Sequence, residues 1–405
     1  MTLLLLTLVL AVSLSYGQTT KILRFSKIWD GSGVVPNRTL IVVRDNKIVE
    51  IGQDSGKYPA GSQVIDLRRY SAIPGMIDVH THITYYWDRA PGSNPRRQPR
   101  RHPAVAVVLA EDNAKRTLAT GVTTVRDLNA AAGNDYALRD LINVGKLIGP
   151  RIVAAGAGIG ARPNPPGPDG IRKLVEERIA AGSDVIKLFA STGGFEDVTG
   201  LQTLNYEEMK SAVDTAHAAG KRIAIHSYGP DGFRDAVKAG PDSIEHGADV
   251  DDATLREMAR KGIWFVPTID HNRYYIDARD EFQFAAGSDV GLRDYIARNL
   301  DTARRAHAAG VKFAMGSDAV YTMFGQNTRE LEWFVQAGLT SEQALKAATL
   351  NGAELLGMQD RIGRLAPGYF ADIVAVEGEP WNDVQSAIKN VRWVMKDGQI
   401  VVRLP

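Results

Sequence analysis

Eight short apolar, β-branched runs, most of them separated by helix-patterned segments, constrain this chain more than any other feature. They lie at 75–79, 122–125, 151–154, 185–189, 222–225, 242–244, 263–266 and 312–315. The segments between them, such as 206–219 and 301–309, are rich in Ala, Glu, Lys and Arg and stop at Gly220 and Gly310. Glycine ends helices because it accepts the left-handed backbone conformation that closes the last turn. Strand and helix alternating in this way build a parallel sheet, and eight such units predict an α/β fold of the (β/α)8 TIM-barrel class over 73–356.

The residues left over sit at the two ends, 18–72 and 357–405. Residues 40–43 and 47–50 flank Asp45-Asn46 as strand, turn and strand, and 371–376, 391–396, Asp397-Gly398 and 399–402 repeat the pattern. Neither piece is long enough to bury a core alone. A small, discontinuous β-sandwich domain assembled from both ends is therefore expected beside the barrel. Residues 1–17 carry an apolar run from Leu3 to Leu14 and small residues before Gln18, which reads as a signal peptide and implies a periplasmic or secreted protein. The run falls short of the roughly 18 apolar residues of a membrane span, so no membrane association is expected after the leader is removed.

Composition narrows the function. With 44% hydrophobic and 23% charged residues the chain is globular, and 48 Lys plus Arg against 47 Asp plus Glu give no basic excess for nucleic acid. There is no cysteine, which excludes disulfides, a thiol nucleophile and thiolate metal sites. Any metal has to be held by histidine and carboxylate.

Such residues gather at the strand ends. Asp78-Val79-His80-Thr81-His82 closes the first barrel strand, and the two-residue period of a strand puts His80 and His82 on one face. His226 ends the fifth strand, His246 the sixth, and Gly316-Ser317-Asp318 the eighth, so four histidines and an aspartate fall where barrel enzymes place their active sites. Lys187 lies in the fourth run, Val185-Ile186-Lys187-Leu188-Phe189. Taken alone it reads as a lysine that snorkels out of an apolar strand. Aimed into a set of metal ligands, a cation would be repelled unless modified. Tyr228, His271 and Tyr274 are expected in loops on the same face, as candidates to grip a substrate carboxylate or stabilise an oxyanion. The loop 87–102, with Arg89, Arg96, Arg97, Arg100 and Arg101, offers a positive rim for anionic substrates. The Gly- and Pro-rich stretch 156–170 is expected to be a further active-site loop.

The combination of Pro74-Gly75-Met76-Ile77-Asp78-Val79-His80-Thr81-His82, Lys187, His226, His246 and Gly316-Ser317-Asp318 resembles the amidohydrolase superfamily. Residues 121–127 and 365–372 look like its imidazolonepropionase-like and Xaa-Pro dipeptidase-like branch. That resemblance implies two divalent metals, zinc by the ligand set, bridged by a carbamate that carbon dioxide forms on Lys187. His80, His82 and Asp318 would hold the first metal, His226 and His246 the second, with Asp318 as catalytic base for a hydroxide bridging the two. It implies a dipeptidase or carboxypeptidase-like enzyme that releases a C-terminal amino acid from dipeptides or N-acyl amino acids. A cyclic-amide or lactone hydrolase is the alternative, a non-catalytic barrel is not expected, and a homo-oligomer is.

Overall fold

The structure, a computed structural model, describes residues 20–160, 166–194, 197–285 and 287–404. The leader expected over 1–17 lies outside the described residues. The first strands are β1 (Thr20–Ile28), β2 (Leu40–Arg44), β3 (Lys47–Gly52) and β4 (Gln63–Pro74). Next come β5 (Met76–Thr81), β6 (Val122–Asp127), β7 (Arg151–Ala154), β8 (Ile159–Gly160), β9 (Val185–Phe189) and β10 (Arg222–His226). They are followed by β11 (Ser243–Glu245), β12 (Trp264–Val266), β13 (Lys312–Phe313), β14 (Ile373–Val376), β15 (Val391–Lys396) and β16 (Gln399–Arg403). Each of the eight apolar runs coincides with a strand, and the two-residue β8 is an addition.

β5 to β7 and β8 to β13 form two parallel sheets. Hydrogen bonds join them at both margins: Asp184 N–H donates to Ala154 O at 2.8 Å, and Val79 N–H to Met315 O at 2.8 Å. The helices between the strands bury their apolar faces on this framework, as Met209, Ala212, Val213 and Ala216 do on the helix Tyr206–Ala218. That helix starts where the sequence signals it: Asn205 accepts from Glu208 N–H while the Glu208 carboxylate accepts from Asn205 N–H, a capping box. The arrangement is of the TIM-barrel type.

Both chain ends enter one continuous seven-stranded sheet, ordered β16, β15, β14, β4, β1, β2, β3. β4 and β14 pair antiparallel at its centre, so the N- and C-terminal pieces share backbone hydrogen bonds as well as a core of Leu23, Phe25, Ile41, Val43, Ile373, Trp393 and Met395. No helix among the described residues is long and apolar enough to cross a membrane.

Candidate metal centre

β5 delivers His80, and His82 follows one residue beyond its end. Lys187 is the middle residue of β9, His226 the last of β10, and His246 the first after β11. Asp318 lies five residues past β13, where its N–H donates to His80 O at 2.7 Å and so seats the segment against β5. Gly316 makes this approach possible: a Cβ there would stand 2.4 Å from Val266 Cγ1 and 2.7 Å from His80 Cβ. His246 and Asp318 turn away from their strands with φ of 70° and 52°. Left-handed backbone at such residues costs about 1–2 kcal/mol and persists only where the surroundings enforce it, as functional sites do.

These side chains close on one cleft of about 200 Å³, lined also by Tyr85, Asn129, Phe189, Tyr228, His271, Tyr275 and Tyr321. Ligating atoms of His80, His82 and Asp318 all lie within 4.8 Å of one another. Asp318 Oδ1 is 3.4 Å from His80 Nε2 and 3.0 Å from His82 Nε2, yet it is buried without a geometrically formed hydrogen bond among the described residues. Ring nitrogens and a carboxylate oxygen that face one another in a buried cleft suit a cation between them. The His226 and His246 rings sit 4.5 Å apart, and that of His246 is 5.2 Å from His80. Burial pushes the imidazoles of His226 and His246 well down and that of His80 to about 4. They are therefore neutral at pH 7, the form that ligates metal. Burial opposes ionisation of Asp318, but His271, His80 and His82 outweigh it and hold the carboxyl well below its ordinary range.

Lys187 is buried, its Nζ has no hydrogen-bond partner among the described residues, and burial brings its amine down to about 8. An uncompensated buried cation is expensive. The donor set of His80, His82 and Asp318 thus fits a divalent ion, with the Lys187 amine buried beside it.

Behind the ligands is a layer that sequence patterns did not single out. Glu245 Oε2 lies 2.9 Å from His80 Nδ1, and Glu245 Oε1 accepts from Arg126 Nη2 at 2.9 Å and Ser243 Oγ at 2.5 Å. Burial disfavours this carboxylate, but Arg126 and His80 bring it to about 2, so His80 carries its proton on Nδ1 and presents Nε2 to Asp318. Thr268 Oγ1 lies 2.6 Å from His246 Nδ1 and orients that ring. Asp78 ties β5 to the eighth-strand segment by accepting from Ser317 N–H (2.9 Å), Ser317 Oγ (2.5 Å), His80 N–H (3.2 Å) and Asn327 Nδ2 (3.0 Å).

Of the expected substrate contacts, Tyr228 and His271 line the cleft and Tyr274 does not; its hydroxyl pairs with Thr322 Oγ1 at 2.8 Å. His271 and Tyr274 are not in a loop, because they belong to the helix Ile269–Asp277. Residues four apart share a helix face. Tyr275 is accordingly the one beside His271, with ring centroids 4.8 Å apart.

Among the described residues no arginine of the 87–102 loop lines the cleft itself. Arg89 lies over Trp87, Arg101 pairs with Asp88 at 2.6 Å, and Arg96 and Arg97 line a separate recess with Phe282 and Phe284. The 156–170 stretch does reach the site through Gly158, where a Cβ would meet the Phe189 ring at 2.4 Å and Lys187 Cγ at 3.3 Å.

A family model described as the amidohydrolase family matches residues 71–401. The chain belongs to that family. It is 27% identical over 416 residues to ochratoxinase from Aspergillus niger, covering 91% of this chain and 84% of that protein. To imidazolonepropionase from Kosmotoga olearia it is 23% identical over 400 residues, 89% of this chain and 90% of the relative. Among solved structures, a Xaa-Pro dipeptidase with methionine bound in its active site superposes with a TM-score of 0.83 at 29% identity, over 94% of this chain and 99% of that one. Membership makes this amidohydrolase a hydrolase of C–N bonds in small-molecule substrates, from a family that generally uses divalent metals.

Proposed function

We propose that this amidohydrolase is a binuclear metal-dependent peptidase that releases a C-terminal amino acid from dipeptides or N-acyl amino acids. The observation that carries the reading is the convergence of His80, His82 and Asp318 on one point, beside His226, His246 and the Nζ of Lys187, which has no hydrogen-bond partner among the described residues. His80, His82 and Asp318 would hold one ion, His226 and His246 the other, and a carbamate on Lys187 would join them. When bound, the two ions supply an activated water at neutral pH and a Lewis acid for the amide carbonyl. The protein's own groups do the rest. Asp318 Oδ1 takes the proton of the attacking water and returns it to the leaving amine. His271 Nε2, 3.4 Å from Asp318 Oδ2, faces the other oxygen of that base. Tyr228 lies against His226 and His246 with ring separations of 5.2 and 4.6 Å, which suits a donor to the developing oxyanion.

The same reading divides the chain into a closed (β/α)8 barrel over 73–356 and a β-sandwich unit from 18–72 and 357–405. It is supported by the dipeptidase and ochratoxinase likenesses. Elemental analysis of the purified protein is expected to give about two divalent metal equivalents per chain. Product analysis on a dipeptide and an N-acyl amino acid should find the free amino acid. A metal-free enzyme whose activity chelators leave untouched would overturn the proposal, and a single ring-opened product from lactams or lactones would replace its substrate class.

A further inference from the structure

Apart from the histidines, Lys187 is the only basic residue in the described lining of the cleft, so a substrate carboxylate there has to be met chiefly by neutral donors. Tyr85 is built to be one. Gly158 N–H lies 2.9 Å from Asn129 Oδ1, and a backbone N–H can only donate, which fixes the orientation of the Asn129 amide. Asn129 Nδ2 is then the donor to Tyr85 Oη at 2.7 Å, and the phenol oxygen is the acceptor. Its own proton is left for another partner, and no hydrogen bond among the described residues uses it.

Position points to the partner. The Tyr85 ring stacks on His82 at 4.8 Å with 25° between planes, and its other ring neighbour is Tyr321 at 5.9 Å. It therefore flanks the cluster on the His82 side, whereas Tyr228 lies against His226 and His246. Arg96 lies close enough for its charge to act on the neighbouring Tyr321 and is the rival holder of an anion on this side, while the charges that act on Tyr85 itself are those of Asp127 and Asp318. We infer that Tyr85 donates its phenolic hydrogen to the C-terminal carboxylate of the substrate, with Asn129 as the positioning residue that aims it. This rests on the amide hydrolysis proposed above.

The test compares wild type, Tyr85→Phe, Asn129→Asp and Arg96→Ala on an N-acyl amino acid and its C-terminal amide. Binding of the free amino acid product and of its carboxamide is followed by calorimetry. Asp at 129 can still accept from Gly158 N–H but cannot donate to Tyr85, so the phenol proton turns toward it and away from the cleft. Both Tyr85→Phe and Asn129→Asp are expected to lose roughly 10- to 100-fold in kcat/KM on the free acid, mainly through KM, as for a hydrogen bond to a charged group. The loss on the amide should be several-fold smaller, and the calorimetric preference for the free acid should shrink in parallel. Equal losses on both substrates, or no loss, would overturn the inference. So would an Arg96→Ala variant with a loss as large and as insensitive to salt, because that would assign the carboxylate to Arg96. A wild-type enzyme that shows no preference for the free acid, or cleaves neither compound, would overturn the underlying substrate reading instead.

Discussion

At Lys187 the surroundings work against the side chain's ordinary form: its strand is buried, Nζ has no hydrogen bond among the described residues, and Phe189 offers only a ring face 5.0 Å away. A carbamate would replace that cation by an anion with oxygens to share. Lys187→Ala is expected to lose metal and to lower kcat/KM roughly 100-fold or more, as removal of a ligand that organises a metal centre does. Acetate or formate should restore part of both by filling the space the carbamate leaves. Metal analysis alongside kinetics checks this, and a fully metallated, active variant would remove Lys187 from the centre. Glu245 shows the complementary principle: a buried carboxylate is tolerable because Arg126 and Ser243 satisfy it, and its task is to choose which nitrogen of His80 faces the cleft.

Among the elements, β5 and the segment after β13 matter most, because His80 and Asp318 are brought together by backbone contact between them. The Asp318 N–H to His80 O bond and the Asp78 clamp on Ser317 both need Gly316 to stay bare. Gly316→Ala is expected to destabilise the fold by about 1–3 kcal/mol, the usual cost of overpacking a filled core. The same methyl should push the two segments apart and weaken metal binding. Urea unfolding of the apoprotein and metal titration of the folded variant measure the two effects separately. Unchanged metal affinity would show that the contact tolerates more slack than its packing implies.

At the scale of the whole molecule, the terminal sheet is fastened to the barrel by Arg151 of β7. Its guanidinium pairs with Asp372 at 2.8 Å and with Asp397, donates to Thr124 Oγ1 at 2.9 Å, and lies over the Phe370 ring. Asp372 is buried, so Arg151→Met would strand its charge, at a cost on the order of 3 kcal/mol. Hydrogen exchange should then quicken in β14 and β15 while metal content per chain stays at the wild-type value. Exchange unchanged in those strands would show that shared strand pairing, not this ion pair, holds the two parts together.

Much of this was legible in the chain. Strand runs, helix stops and the placement of His80, His82, Lys187, His226, His246 and Asp318 follow from local rules, because a strand's period and its terminus dictate where side chains project whatever the partners are. Helical character at 269–277 was missed, and with it the exchange of Tyr274 for Tyr275, because nine residues carry too little periodicity to outweigh a loop reading. The pairing of His80 with Glu245, 165 positions away, the amide of Asn129 that aims Tyr85, and the lack of arginine in the described lining of the cleft had no local signal. Each depends on which distant segments packing brings within about 3 Å, the range at which a hydrogen bond selects one partner over another.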